Sequence, residues 1–204
     1  MSGLDILIAK PLGYKIKENL GEKTLQKIEK RLFERYGISI GQSLEDFHKL
    51  DDVLREFFGN GAEGLERQIL EKVVSVDETK NQDLKWVSIE EPSLAKIILE
   101  AFGDDDKNRI LNTVLDESRI ISDIIEISKI PQTSAYRKVN SLIENGLLIP
   151  SGFITTHDGK KVTKYKSVFN NVKIGIEKNK VMVKVQLHQE CWETSSIIQV
   201  VQSR

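Results

Sequence analysis

The chain has 204 residues, 39% of them hydrophobic, enough for one generous core or two small ones. Its formal net charge of -1 excludes a protein that meets nucleic acid through bulk positive charge. A lone cysteine, Cys191, excludes an intrachain disulfide and a CxxC metal site, and no apolar run approaches the roughly 18 residues of a membrane span.

Charge is unevenly spread. Residues 1–72 hold 12 basic and 13 acidic side chains, residues 73–106 hold 3 and 9, and residues 129–169 hold 7 and 2. Such segregation orients a chain on a polyanion without making the total positive. The opening residues Met1 to Asp5 lack the basic and apolar segments of a secretory signal, so a cytoplasmic location is expected.

In chain order, Leu4, Ile6, Leu7 and Ile8 suit either a short helix or a strand, interrupted by Pro11 and Gly13. Leu25, Ile28, Leu32 and Phe33 mark one face of a helix that Gly37 ends in the left-handed conformation. Ser43 is expected to cap the next helix, which carries Leu44, Phe47, Leu50, Val53, Leu54, Phe57 and Phe58 up to Gly59-Asn60-Gly61. A further helix is expected from Ala62 to Val74. Lys27, Lys30, Arg31 and Arg35 read as a solvated face, with a phosphate patch as the less favoured reading. His48 has no second ligand at metal spacing, and Asp51 with Asp52 lacks the opposed placement of an acid–base pair. Residues 1–75 therefore read as a helical domain for assembly, an effector or a partner, and 76–91 as a linker. Within it Trp86, Val87 and Ile89 suit a short strand.

From Pro92, placed as a first helical residue, Leu94, Ile97, Ile98 and Phe102 form a helical stripe. Asp104 to Asp106 suit the positive end of a helix starting near Lys107, with Ile110, Leu111, Val114 and Leu115 buried. Ser122 caps a short second helix whose Ile124, Ile125 and Ile127 pack inward, and Pro131 ends it. In a third helix Ala135, Val139 and Leu142 share one face, with Ile143 at its edge. The opposite face carries Thr133, Tyr136, Arg137 and Asn140, with Gln132 and Ser134 in the exposed first turn. Two strands follow: Leu147 to Thr156, with a bend or bulge at Pro150-Ser151-Gly152, and a return after the turn dipeptide Asp158-Gly159. Lys160, Lys161 and Lys164 cluster at that turn. Helix, short helix, tight turn, helix and hairpin make a winged helix-turn-helix.

Past Phe169, Val172, Ile174 and Ile176, then Val181, Val183, Val185 and Leu187, alternate as an antiparallel hairpin. It extends the wing sheet, covers the core or forms a subunit contact. Trp192 and the alternation through Ile197, Ile198, Val200 and Val201 suggest an edge strand. The fold expected is thus α+β: an N-terminal helical domain, then residues 92–204 as a winged helix-turn-helix with a C-terminal β-hairpin extension.

The stretch from Asp106-Lys-Asn-Arg-Ile-Leu-Asn-Thr-Val through Ile130-Pro-Gln-Thr-Ser-Ala-Tyr-Arg-Lys-Val-Asn-Ser-Leu-Ile-Glu-Asn-Gly resembles the ArsR-like winged-helix transcriptional regulators, especially archaeal ones. The resemblance covers about 80 residues and implies that Gln132 to Asn140 enter the major groove, that Ile154 to Tyr165 form the wing, and that the protein acts as a homodimer. Metal-sensing members carry paired cysteines or histidine–carboxylate sets, which this chain lacks, so that role does not carry over. Residues 20–72 resemble a small helical domain of regulators in ammonia-oxidising archaea, a likeness that brings no activity with it.

The function expected is sequence-specific binding of double-stranded DNA in transcription regulation, with no catalysis, cofactor or metal. Gln132, Thr133, Ser134, Tyr136, Arg137, Lys138 and Asn140 are the candidate DNA contacts on the helix, and Lys160, Lys161 and Lys164 those on the wing. The alternative is a winged-helix protein–protein adaptor in a transcription-related complex, since the fold alone fixes no function. For dimerisation, the 92–102 helix and the N-terminal helices rank above the 172–187 hairpin. The N-terminal helices also offer apolar surface to a protein partner.

Overall fold

The computed structural model describes residues 3–77, 86–197 and 199, and structural statements below concern these. Its fold is mixed α+β, with an N-terminal helical stretch followed by strand-rich segments. The first helix, α1 (Gly3–Leu20), runs unbroken through Pro11 and Gly13, where an interruption was expected. An interior proline costs about 3 kcal/mol. Leu4, Leu7, Ile8, Leu12 and Ile16 recur every three or four residues, each 3% exposed or less. Burying one such side chain stabilises by about 1.5–3 kcal/mol, so packing on both sides of the proline outweighs its cost.

In α2 (Glu22–Tyr36), Ile28 and Leu32 are buried, while Phe33, expected beside them, is 69% exposed. Gly37 ends the helix at φ 68° and donates its N–H to the Phe33 carbonyl, as expected. The next cap differs from expectation. Ser39, not Ser43, begins a short helix α3 (Ile40–Ser43) through a reciprocal capping box with Gln42. Ser43 ends that helix, its hydroxyl donating to the Ile40 carbonyl at 2.7 Å. The S-x-x-Q pattern satisfies two orphan amides where a lone serine satisfies one. Helix α4 (Phe47–Phe58) stops at Gly59, and its terminal Phe57 and Phe58 are exposed.

Helix α5 (Gly61–Glu71) is shorter than expected. Val74 starts strand β1 (Val74–Asp77), antiparallel to β2 (Trp86–Ile89). The β-branched residues Val74 and Val76 fit a pleated, half-buried surface better than a helix end. Part of the expected linker therefore belongs to a sheet, while residues 78–85 lie outside the described residues.

There follow α6 (Pro92–Gly103), α7 (Asp105–Asn112), β3 (Arg119–Ile120), α8 (Ile121–Ser128), α9 (Gln132–Glu144), β4 (Leu148–Thr155), β5 (Lys161–Ser167), β6 (Phe169–Glu177), β7 (Lys180–Leu187) and α10 (Gln189–Thr194). Pro92 sits in the first turn of α6 as expected. Two antiparallel sheets form, in the orders β1-β2-β7-β6 and β3-β5-β4. The β6–β7 hairpin thus joins the strands around residues 74–89 and does not extend the β4–β5 sheet. Its Val183, Val185 and Leu187 cover the core. The tail expected as an edge strand through Trp192 and Ile197 is helical at α10 and again at 196–197. Ile198, Val200 and Val201 lie outside the described residues. Cys191 is buried.

The buried side chains form one contiguous cluster from Leu4 to Ile197. Two contacts tie sequence-distant parts of the chain to α1. The Asp5 carboxylate, 1% exposed, accepts from the Ser195 hydroxyl at 2.5 Å and from the Ser196 amide and hydroxyl at 2.9 and 2.8 Å. Burial pushes its pKa up, and these hydrogen bonds pull it back. At Gly146, just past α9, φ is +71°, and an added Cβ would stand 2.8 Å from Leu7 Cα and Leu7 N. Only glycine satisfies both the left-handed backbone and that close approach.

Candidate nucleic-acid interface

Asp104 starts the construction. Its carboxylate caps α7 by accepting from the Asp106 and Lys107 amides, both at 3.0 Å. This places the acidic trio at the positive end of the helix, as expected. Ile110, Leu111 and Val114 are buried, but Leu115 is 37% exposed. Helix α7 ends at Asn112, so Leu115 lies beyond it and off its buried stripe.

The short helix α8 begins at Ile121 with Ile120 in the cap position, so Ser122 lies inside the helix and does not cap it. Strand pairing of Ile120 with Lys164 fixes the start two residues earlier than a Ser122 cap requires. Ile124 is fully buried and Ile125 packs against the core, whereas Ile127 is 47% exposed. Ser128, also buried, lies about 40° round from Ile124 and Ile125 about 100° round on the same side, so Ile127, about 60° round on the other side, falls outside the buried face.

Lys129 closes α8 in the left-handed conformation at φ 54°, and the chain turns through Ile130 and Pro131 into α9. Ala135, Val139 and Leu142 are buried, and Ile143 lies half-buried at the edge, as their spacing requires. Pro131 stands at the cap position with no side-chain cap bond. Gln132, Thr133, Tyr136, Arg137 and Asn140 are all exposed on the other side, and Ser134 is half-buried. Arg137 makes no ion pair within 4 Å among the described residues. A cleft of about 370 Å³ runs beside this face, lined by Ser122, Ile125, Glu126, Lys129, Gln132 and Tyr136 among others.

Lys138 stands apart. Its side chain is only 15% exposed, and its ammonium donates to Asp104 at 2.7 and 2.5 Å and lies 3.5 Å from Asp106. That hydrogen bond is the largest cause holding the Asp104 carboxyl below its ordinary pKa. Lys138 therefore pins α9 to α7 and is withdrawn from the exposed face.

The β4–β5 hairpin carries the expected irregularity, a register shift between Pro150 and Phe153, with Gly152 at φ 78°. Its turn is closed by the Thr156 amide donating to the Lys160 carbonyl at 2.9 Å. Lys160 pairs with Asp158 at 2.8 Å, both well exposed. A hydrogen bond from Lys160, then one from Thr156, holds the Asp158 pKa down.

The strand register separates the other two lysines. Lys161 lies opposite Thr155 and alternates with Thr163 and Tyr165 on one face, whereas Lys164, opposite Ile120, shares the other face with Val162 and Lys166. The three hairpin lysines do not share a face.

Two residues beyond the sequence-based set belong here. Phe153, 56% exposed, lies under the Lys161 ammonium, which stands 4.5 Å from the ring centroid. The register implied by Asp158-Gly159 brings these two strands together, so the pairing was within reach of the sequence. Lys129 flanks the α8–α9 cleft, and its left-handed turn had no composition signal. Among the described residues, no three His, Cys, Asp or Glu side chains gather as a metal site, and no helix is long and apolar enough to cross a membrane. Compared with family models, curated proteins and solved structures, the chain matches none of them.

Proposed function

We propose that the protein is a sequence-specific double-stranded DNA-binding regulator of transcription, acting as a dimer through a winged helix-turn-helix built from α7, α8, α9 and the β4–β5 hairpin. This is also the function implied by the ArsR-like resemblance. The observation that carries it is the free polar face of α9. Gln132 and Asn140 offer both donor and acceptor to a base edge, and Arg137 offers the fork that guanine O6 and N7 accept. Thr133, Ser134 and the uncapped amides of the first turn suit a phosphate. Tyr136 adds a flat apolar surface with a hydroxyl. Lys160 and Lys161 supply phosphate contacts from the hairpin, with Phe153 bracing Lys161. Lys164 faces the other way and contributes less, and Lys138 positions α9 without touching DNA.

The adaptor reading is favoured by two specific observations: Lys138 is neutralised by Asp104 and Asp106, and Lys161 and Lys164 lie on opposite faces. A random-duplex selection with the whole chain separates the two. DNA reading is expected to enrich one motif over successive rounds, with two half-sites about 10 base pairs apart or a multiple of that. A pool that stays random after selection, from protein that is folded, replaces this reading with the adaptor.

A further inference from the structure

We infer that the free edge of β6 pairs antiparallel with the same edge of a second copy, with Gly175 on the two-fold axis. The inference rests on the dimer of the proposed function only for what the assembly is used for. The pairing itself is read from β6 alone, the hairpin that sequence reasoning ranked last among dimer surfaces.

Strand β6 ends its sheet in the order β1-β2-β7-β6, so one row of its backbone groups faces outward. The turn fixes which row. Lys178 and Asn179 are both left-handed, at φ 47° and 62°, and close the hairpin on the pair Glu177–Lys180. In such a two-residue turn the closing pair is hydrogen-bonded. Glu177, Gly175 and Lys173 therefore direct their amides and carbonyls to β7, while Ile174 and Ile176 direct theirs away from it. An edge like this is a template for pairing unless something blocks it.

The sequence of the edge, Lys173-Ile174-Gly175-Ile176-Glu177, is complementary to itself when reversed. Pairing about Gly175 sets Ile174 opposite Ile176 twice, and these are the residues whose backbone groups point outward. On the other face it sets Lys173 opposite Glu177 twice, two matched charge pairs. Centring one residue earlier, on Ile174, leaves both charges without an opposite sign, and centring on Lys173 sets lysine against lysine. Ile176 is 75% exposed and Ile174 39%, a large apolar exposure at a hairpin tip that this pairing covers. At Gly175 an added Cβ meets nothing within 4 Å, so the axis is open. Like surface meeting like surface closes the assembly at two.

The test uses the full chain without DNA. In the expected register Gly175 faces its own copy as a non-hydrogen-bonded pair, about 4.5 Å between Cα atoms, within the range of about 4.4–6.8 Å that a disulfide spans. Gly175→Cys is expected to give a covalent dimer at twice 23.2 kDa on mild oxidation. Glu177→Lys opposes Lys173 across the axis and is expected to raise the dimer dissociation constant about tenfold. The double variant Lys173→Glu, Glu177→Lys restores the opposite pairing and the wild-type constant. Circular dichroism checks that each variant is folded. A wild-type mass of 23.2 kDa by light scattering at every concentration overturns the inference. So does a dimer that Gly175→Cys does not trap. A dimer that binds no DNA overturns the proposed function and leaves this pairing standing, and a monomer that reads DNA overturns this pairing and the dimer while leaving the DNA reading standing.

Discussion

Helices α2 and α9 both carry arginines on a polar face, and the chain treats them oppositely. On α2, Arg31 and Arg35 meet Glu56 of α4. The Arg31–Glu56 contact is 2.6 Å, and Arg35 also lies 3.9 Å from Asp52. The hydrogen bond from Arg31 is the largest cause lowering the Glu56 pKa. On α9, no carboxylate of the described residues approaches Arg137, although the chain holds 31 acidic side chains in all. The first face is closed by its own fold. The second is open. An arginine that fastens two helices and one left exposed are alike in sequence, and only the placement of carboxylates from elsewhere separates them.

The largest effect is expected where α9 is seated. Gly146→Ala puts a Cβ against the backbone of Leu7 and forces a left-handed alanine, a combined cost of about 3 kcal/mol or more. That corresponds to a melting temperature lower by roughly 6–12 °C. A thermal melt checks it, and an unchanged midpoint would mean that α9 is not held against α1.

Next comes the acid behind α4. Glu66 is 1% exposed, and its pKa is raised from about 4.5 to about 8, first by burial and then by a hydrogen bond and charge interaction with Asp51. The folded state keeps a proton that the unfolded state gives up near pH 4.5. Stability is therefore fully present below that pH and declines as pH rises towards 8, by at most about 1.4 kcal/mol per pH unit. Glu66→Gln is expected to flatten denaturant midpoints measured across this window. A variant as pH-dependent as the wild type would assign the titration to another group.

What was legible in the sequence follows the same division. Local chemistry was readable: the Gly37 and Gly59 stops, the Asp104 trio, the Ala135-Val139-Leu142 stripe and the β6–β7 alternation all appear where spacing puts them. Pro11 misled because tertiary burial overrode a local penalty. Ser43 misled because a better capping box stood four residues earlier. The placement of Lys138 was not readable because its partner comes from afar: it meets Asp104 across 34 positions. The opposed directions of Lys161 and Lys164 depend on the strand register.

A smaller effect sharpens that point. Lys138→Met should lower stability by about 1 kcal/mol, since the pair is only partly screened from solvent. It should leave the salt dependence of DNA binding unchanged, whereas a direct phosphate contact would reduce the slope by about one. Smaller still is Arg31→Ala. Its ion pair is exposed, so a loss of stability seen at low salt should fade at high salt, with DNA binding untouched.

The open face of α9 is tested most directly by titrating the wild type and the double variant Arg137→Ala, Asn140→Ala against a selected duplex and a random one at two salt concentrations. Each good base contact discriminates by about 1–3 kcal/mol. The double variant is expected to lose most of the preference for the selected site while keeping its salt slope and its melting temperature. Equal, weak binding of both proteins to both duplexes would contradict the account, and the face of α9 would then belong to a protein partner.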